Sequence, residues 1–324
     1  MLYPLKFHPI LKEKIWGGSR LKKLFNKPTE SDKIGESWEL SGYPGDESVV
    51  ANGFLAGNQL NELIEVYMDE LVGGKVFDRY GLTFPLLFKF IDANDDLSIQ
   101  VHPNDETALK KHDSLGKTEM WYVVDADENG ELIVGFKNDC SAAEFLTALN
   151  EKNLEDLLQR VSVKKGDVIF IHPGLVHAIK KGVVVAEIQE NSDLTYRIYD
   201  YQRKDENGKE RDLHLEAALE VIDFSACKNP LVDYVEKMNE VTTLVSCQYF
   251  TTNLLAFNQH FLRNYVQIDS FVVYMCLEGN FIIEYENSRT PVEKGETVLI
   301  PASMDEVNLI PAEGTVKLLE VYID

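Results

Sequence analysis

Two segments of the chain repeat one pattern, and this repeat constrains the fold more than any other feature of the sequence. VKKGDVIFIHPG at 163–174 and VEKGETVLIPAS at 292–303 share a valine, a lysine two residues later, a glycine, an acidic residue, an apolar run and a proline. Hairpin-like patterns precede the two copies, at 121–136 and 272–285. The repeat predicts two related small β-barrels, although generic β segments can also resemble each other by chance.

Most of the remaining sequence predicts a mainly β fold with a few helices inserted in its N-terminal part. Runs of β-branched and aromatic residues between turn signals predict strands at 84–93, 97–102, 118–124, 131–136, 167–171 and 182–190, and from about residue 241 onward. Apolar residues at helical spacing and a capping box predict helices at about 58–71, 104–114, 141–160 and 212–222. We therefore expect a first domain over 1–238, which includes these helices, and a second barrel-like domain over 239–324.

The two copies of the repeat differ in their histidines. The first copy has His172 and His177 around its Pro-Gly turn, whereas the second continues as PASMDEV. Because imidazole is a common metal ligand and acid–base group, chemistry is predicted in the first barrel and a structural role in the second.

Four polar residues on the predicted strands of the first barrel have the spacing of a metal site. Gln100 and His102 are two residues apart on one strand, so their side chains leave the same face. Glu119 opens the next strand, and His177 follows the turn of the repeat. Two imidazoles, a carboxylate and an amide oxygen can form a zinc shell that leaves room for water or substrate. The alternative is an ordinary salt bridge between Glu119 and a nearby lysine.

Cationic side chains follow the same strands and can form a local positive pocket. Lys89 interrupts an apolar strand, and Lys117 precedes Glu119 by two residues. Either lysine can also be the salt-bridge partner of Glu119. Arg197 and Arg203 follow the strand that carries Glu187. Such a pocket can bind phosphate, but each cation can equally pair with an acidic residue, and for Arg203 the ordinary pair is favoured.

The composition excludes several classes of partner. A formal net charge of −22 argues against nucleic acid and anionic membranes, which require a basic face. No apolar run is long enough to span a bilayer. The four cysteines are scattered without paired spacing, as expected of reduced thiols in a cytoplasmic protein.

The sequence resembles the type I mannose-6-phosphate isomerases (phosphomannose isomerases) in their short bacterial form, a family of the cupin superfamily. The resemblance covers nearly the whole chain, and LSIQVHP followed by GKTEMWYV is its most specific part. Its motifs are IWGG (15–18), GESWELSG (35–42), FPLLFKFIDA (84–93), LSIQVHP (97–103), GKTEMWYV (116–123), HPGLVHAI (172–179) and SDLTYRIYDY (192–201).

The resemblance implies two cupin (jelly-roll) barrels, of which only the first carries one zinc ion. It also implies Arg197 as an active-site arginine, and it identifies the zinc ligands as Gln100, His102, Glu119 and His177. The positions that match the family's substrate cavity are Trp16, Lys89, Ser98, Lys117 and Glu187. Relatives commonly have Pro-Ala-Gly before the last ligand histidine; here His172 stands at the usual place of the proline, which is expected to change the cavity wall and not the metal site.

The activity that the resemblance implies is interconversion of mannose 6-phosphate and fructose 6-phosphate through an enediol. Glu187, Lys117 or a metal-bound hydroxide is the base, and the sequence does not choose among them. A monomer or a weak homo-oligomer is expected. Two other functions remain open: a non-catalytic sugar-phosphate-binding cupin, and an iron cupin oxygenase, for which a glutamine ligand fits less well.

Overall fold

Two pairs of antiparallel sheets account for most of the computed structural model, which describes residues 2–205, 207–286 and 288–324. The strands are β1 (Leu5–Lys6), β2 (Ile10–Gly18), β3 (Ile34–Ser41), β4 (Leu86–Ala93), β5 (Ile99–Val101), β6 (Glu119–Ala126), β7 (Glu131–Phe136), β8 (Leu158–Ser162), β9 (Val168–Ile171), β10 (His177–Ile179), β11 (Val183–Glu190), β12 (Tyr196–Tyr199), β13 (Glu240–Ser246), β14 (Thr251–Phe257), β15 (Phe261–Asn264), β16 (Val272–Glu278), β17 (Phe281–Tyr285), β18 (Ser288–Val292), β19 (Thr297–Ile300), β20 (Glu306–Pro311) and β21 (Val316–Tyr322). The helices are α1 (Arg20–Phe25), α2 (Leu60–Val72), α3 (Gly74–Tyr80), α4 (Asp105–His112), α5 (Ala142–Asn150) and α6 (Leu215–Leu219). The prediction of a mainly β fold is confirmed.

The strand order of the two sheet pairs is the same apart from edge strands: β3-β4-β11-β6-β9 corresponds to β13-β14-β21-β16-β19, and β5-β10-β7-β8 corresponds to β15-β20-β17-β18. In the first pair, which we call the N-terminal β-unit, a sheet ordered β2-β3-β4-β11-β6-β9 accompanies one ordered β12-β5-β10-β7-β8. In the second pair, the C-terminal β-unit, a sheet ordered β13-β14-β21-β16-β19-β1 accompanies one ordered β15-β20-β17-β18. The two copies of the sequence repeat lie at β9 and β19, which occupy matching positions in this order.

Each unit buries a core of β-branched and aromatic side chains between its own sheets, because alternate residues of every strand point inward. Trp121 and Val185 belong to the core of the N-terminal unit, and Tyr274 and Leu318 to that of the C-terminal unit. A third cluster, which includes Phe271, joins the outer face of the first large sheet to the C-terminal unit. The site described below lies inside the N-terminal unit.

The chain crosses between the units at its first strand. Leu5 and Lys6 of β1 pair with Leu299 and Val298 of β19, so β1 is an edge strand of the C-terminal sheet. A boundary near residue 238 stays a proposal, supported by the start of β13 at Glu240.

Two predicted helices are shorter than expected. The helix predicted over 141–160 begins as the capping box requires, at Ser141, but α5 ends at Asn150. Lys152 then adopts a left-handed φ of 62°, Leu154 lies in a short 3-10 helix (Leu154–Asp156), and Leu158 starts β8 by pairing with Phe136. The helix predicted over 212–222 is also wrong in length, because α6 spans only Leu215–Leu219.

The two units carry a matching row of three residues on adjacent strands, centred on a buried glutamate. In the N-terminal unit the row is Lys89, Glu187 and Trp121. In the C-terminal unit the row is Asn253, Glu320 and Tyr274.

Glu320 is completely buried and is neutralised by Arg263 of β15. The guanidinium donates to both carboxylate oxygens, at 2.7 and 3.0 Å. Tyr265 and Asn253 donate to the same carboxylate at 2.6 and 2.9 Å. The carboxylate of Glu320 is fully enclosed and the Arg263 side chain is 17% exposed, so the charge balance of this network matters for stability.

We expect Arg263→Ala to lower the free energy of unfolding by about 3 kcal/mol or more, because it leaves the Glu320 charge buried without a cation. Urea denaturation measures the change. The control is Lys317→Ala, which breaks an exposed ion pair with Glu236 and should cost less than about 1 kcal/mol. Equal small losses in both variants would contradict the expectation.

Candidate metal centre and cavity

Three buried side chains bring one ligand atom each to a single point inside the N-terminal β-unit. Ligand atoms of His102, Glu119 and His177 all lie within 4.8 Å of one another. His102 follows β5, Glu119 begins β6 and His177 begins β10. Each of the three is at most 1% exposed.

The Pro-Gly turn before His177 positions this ligand. Gly174 has a φ of +88°, and a Cβ there would lie 2.7 Å from the carbonyl oxygen of Val221, so the position requires glycine. The N–H of Gly174 donates to the carbonyl of His102 at 3.0 Å, which ties the turn to the end of β5. His172 in the same turn is exposed and is not among the residues that line the cavity.

Backbone hydrogen bonds fix the tautomer of both imidazoles. Nδ1 of His177 lies 2.8 Å from the carbonyl oxygen of Leu175, and Nδ1 of His102 lies 2.9 Å from that of Leu194. A carbonyl accepts, so both Nδ1 atoms donate, and both Nε2 atoms carry lone pairs. These lone pairs face each other at 3.1 Å.

The arrangement of these acceptors fits a divalent cation. The Glu119 oxygens lie 3.7 Å from Nε2 of His102 and 3.6 Å from Nε2 of His177; Oε2 also lies 3.1 Å from Nζ of Lys117, whereas Oε1 has no hydrogen-bond donor among the described residues. Two imidazole lone pairs and a carboxylate that converge in a buried space repel one another unless a cation lies between them.

The protonation states also suit metal ligation. Burial lowers the pKa of His177 to about 4 and that of His102 well below its usual value, so both rings are neutral at pH 7. Burial, followed by repulsion from Glu187, raises the pKa of Glu119 to about 7. A bound cation would favour its ionised form.

Gln100 stands beside the triad. Residues Gln100 and His177 are register partners on β5 and β10, and the side-chain nitrogen of Gln100 lies 3.3 Å from Nε2 of His177. Rotation of the amide by half a turn would direct its oxygen toward the point where the three ligand atoms converge. Which of the two amide atoms faces that point depends on the group that the amide contacts.

A cavity of about 300 Å³ opens beside the triad and contains the cationic and acidic residues that the sequence predicted there. Gln100 and Lys117 belong both to its wall and to the surroundings of the triad. The other predicted residues that line it are Trp16, Lys89, Ser98, Glu187 and Arg197.

Ion pairs hold the lysines of this cavity. Nζ of Lys89 lies 3.1 Å from Oε1 of Glu187 and donates to Gln189 at 2.6 Å. Nζ of Lys117 lies 3.1 Å from Oε2 of Glu119, so the salt bridge considered from the sequence is present beside the metal geometry. Burial opposes ionisation of Glu187, but Lys89 and then Lys117 outweigh it and lower its pKa.

The cavity includes residues that the sequence did not identify as part of the site. Five of them have ionisable side chains: Lys14, Glu36, Asp193, Arg211 and His214. The available signal for Glu36 was that β3 carries two carboxylates, Glu36 and Glu39, within the motif GESWELSG. Arg203, by contrast, lies outside the lining and pairs with Asp200 at 2.5 Å, as the ordinary alternative predicted.

Comparisons with known proteins agree with this geometry. Residues 4–148 match the family model described as phosphomannose isomerase type I, catalytic domain, and residues 240–323 match that described as mannose-6-phosphate isomerase, cupin domain. The mannose-6-phosphate isomerase ManA of Bacillus subtilis is 38% identical over 94% of this chain and 95% of its own. The mannose-6-phosphate isomerase of Streptococcus mutans is 40% identical over 78% of each chain. The crystal structure of a mannose 6-phosphate isomerase from Bacillus subtilis superposes with a TM-score of 0.89, at 36% identity, over 99% of this chain and 100% of that one.

No helix within the described ranges combines the length and apolar character needed to cross a bilayer.

Proposed function

This chain belongs to the type I phosphomannose isomerase family, and we propose that it interconverts mannose 6-phosphate and fructose 6-phosphate through an enediol. The observation that carries the proposal is the convergence of His102, Glu119 and His177 beside a cavity whose wall includes Gln100 and an ionised Glu187. A metal site next to a positioned base is what proton transfer beside a carbonyl requires.

We propose that the triad and Gln100 hold one zinc ion. Two neutral imidazoles, one carboxylate and one weak amide ligand suit zinc, and the set leaves a position for substrate oxygens. When bound, the ion supplies a Lewis acid that polarises the substrate carbonyl and stabilises negative charge on its oxygen.

We assign the proton transfer to Glu187 of β11 and to Lys117, which precedes β6. The reaction moves a proton from C2 of the aldose to C1 of the ketose, and a second proton moves between the two oxygens. Glu187 is the first candidate for the base that takes the proton from C2, because Trp121 fixes its Oε2 by a 2.8 Å hydrogen bond and leaves Oε1 toward Lys89. Lys117, as an ammonium, is placed to donate to a substrate oxygen, and it is the alternative base once deprotonated.

The remaining residues of the cavity orient the substrate. Arg197 and Lys89 provide positive charge, and the hydroxyl of Ser98 and the ring of Trp16 complete the wall. Fixed donors around an enediolate stabilise it without reorganisation, which is where most of the rate enhancement of such sites arises.

Removal of the metal is expected to abolish turnover reversibly. Protein treated with a chelator should lose mannose-6-phosphate isomerisation, because the ligand set then lacks its Lewis acid, and equimolar zinc should restore it. A coupled spectrophotometric assay measures the turnover, and elemental analysis of the protein as purified distinguishes zinc from iron, manganese or cobalt.

Fully metallated protein that binds the sugar phosphate saturably but does not convert any hexose 6-phosphate would contradict the isomerase and favour the binding module.

A further inference from the structure

The segment between β12 and α6 folds back onto the cavity. It carries Arg211 and His214 into the lining, next to Arg197 of β12. Asp212 takes part in the same arrangement through its carbonyl oxygen, which accepts from Nη1 of Arg197 at 2.8 Å. This contact explains why Asp212 does not begin the helix that the sequence predicted there.

Arg197 has donor capacity that the protein does not use. Its Nε is buried without a hydrogen-bond partner, and within the described residues its guanidinium makes no ion pair. Burial, followed by repulsion from Arg211, lowers its pKa. A guanidinium in this state is stabilised by an added anion.

His214 presents a donor to the same region. The N–H of Arg197 donates to Nδ1 of His214 at 3.1 Å, so in the neutral ring the proton is on Nε2. The N–H of His214 returns a 2.8 Å bond to the carbonyl of Arg197. This pair of bonds holds the ring in place and fixes which nitrogen can donate.

Carboxylates pair with two of the three arginines near this end of the cavity. Arg211 and Arg203 both bind the carboxylate of Asp200, with contacts of 2.7 Å from Nε of Arg211 and 2.5 Å from Nη2 of Arg203, and Arg203 also lies 3.7 Å from Asp95. Arg197 has no carboxylate at ion-pair distance among the described residues, and its guanidinium donates to the carbonyl of Asp212 instead.

The lysines elsewhere in the cavity are different, because each has a carboxylate of its own. Lys14 pairs with Glu36 at 2.9 Å, and Lys89 and Lys117 pair at 3.1 Å as described above. Among these cations of the cavity, Arg197 is therefore the one that lacks a carboxylate partner within the described residues.

The distance between the triad and Arg197 suits one extended sugar phosphate. His177, Gln100 and Arg197 are register partners across β10, β5 and β12, so they form a row on the inner face of one sheet. Two strand spacings separate His177 from Arg197, which is about 9.5 Å between backbones. An open-chain hexose with its first carbons at the triad would bring its sixth carbon toward Arg197.

We propose that Arg211 and His214, together with Arg197, bind the phosphate group of the substrate. The guanidinium of Arg211 and Nε2–H of His214 donate to phosphate oxygens, and the 200–214 segment gives the site its selectivity for a phosphorylated sugar. This assignment rests on the proposed isomerase activity.

The test uses Arg211→Gln and His214→Gln in the full-length, metallated protein. Each variant should raise KM for mannose 6-phosphate, and the inhibition constant of inorganic phosphate, by about 10- to 100-fold, with a smaller effect on kcat. Metal content and the urea unfolding midpoint should match the wild type.

The matched control is Arg203→Gln, which removes the other guanidinium on Asp200 without touching the cavity lining. It should change both constants by no more than about 2-fold. An equal increase in KM in Arg203→Gln and Arg211→Gln would overturn the proposal, because the effect would then act through Asp200 and the fold of the segment.

Unchanged phosphate inhibition in both Arg211→Gln and His214→Gln, with an active wild type, would also overturn it. A wild type that does not turn over mannose 6-phosphate refutes instead the isomerase activity itself.

Discussion

His102→Ala is expected to lower turnover of mannose 6-phosphate by about 10³-fold or more and to remove the bound metal. Nε2 of His102 is one of the three converging ligand atoms, and its ring is held by the 2.9 Å bond to the carbonyl of Leu194, so the substitution removes an oriented ligand. Coupled assays and elemental analysis of the purified variant measure the two losses together.

The control for this variant is His172→Ala. His172 lies five residues before His177 in the same turn, but it is exposed and bonds only to the carbonyl of Pro173, at 2.9 Å. Its removal should leave metal content unchanged and turnover within a few-fold of the wild type. Metal retention by His102→Ala would show that this residue is not a ligand.

Glu187→Gln is expected to lower kcat by about 10²- to 10⁴-fold with little change in KM. The substitution keeps the shape of the side chain and the bond from Trp121, but it removes the oxygen that accepts the proton. Since Lys89 and Lys117 lower the pKa of Glu187, the wild-type carboxylate is ionised at neutral pH, and activity should fall only as the pH drops below the ordinary carboxylate range. Steady-state kinetics and the pH–rate profile test both points.

The C-terminal β-unit provides the matched control. Glu320→Gln changes the glutamate at the corresponding position of the matching row, outside the cavity, and should leave kcat at 25 °C within a few-fold of the wild type. If Glu187→Gln retained kcat while Lys117→Met lost it, Lys117 would be the base.

The strands and the metal triad could be predicted because they depend on local pattern. Runs of β-branched residues determine β4, β6 and β11 within a residue or two of the predicted bounds. The two-residue spacing of Gln100 and His102 predicted that their side chains share one face of the strand. The turn at Gly174 predicted that the chain returns His177 to the same site. Convergence of these atoms on one point, by contrast, requires the packing of two sheets, which no local pattern contains.

The parts that could not be predicted depend on contacts between distant residues. Asp212 looked like a helix cap from its neighbours, but its carbonyl bonds to Arg197, 15 positions earlier in the chain. Leu158 continued a helical spacing, but pairing with Phe136 placed it in a strand. For the same reason Arg211 and His214 gave no signal, since only the return of their segment to the cavity brings them near Arg197.

The pairing of β1 with β19 has a consequence for the order in which the molecule can be completed. Leu5 pairs with Leu299, so a residue near the beginning of the chain can pair only after a residue almost at the end has been synthesised. During translation the first strand lacks its partner strand β19 until the C-terminal unit has emerged, and such distant contacts are slow to form because a long loop must close. A fragment that stops before the second unit would keep all the residues of the metal centre, but it would leave Leu5, which is completely buried in the whole protein, without its cover. The two units are therefore similar in architecture, and the pairing of β1 with β19 joins the start of the chain to the unit that is synthesised last.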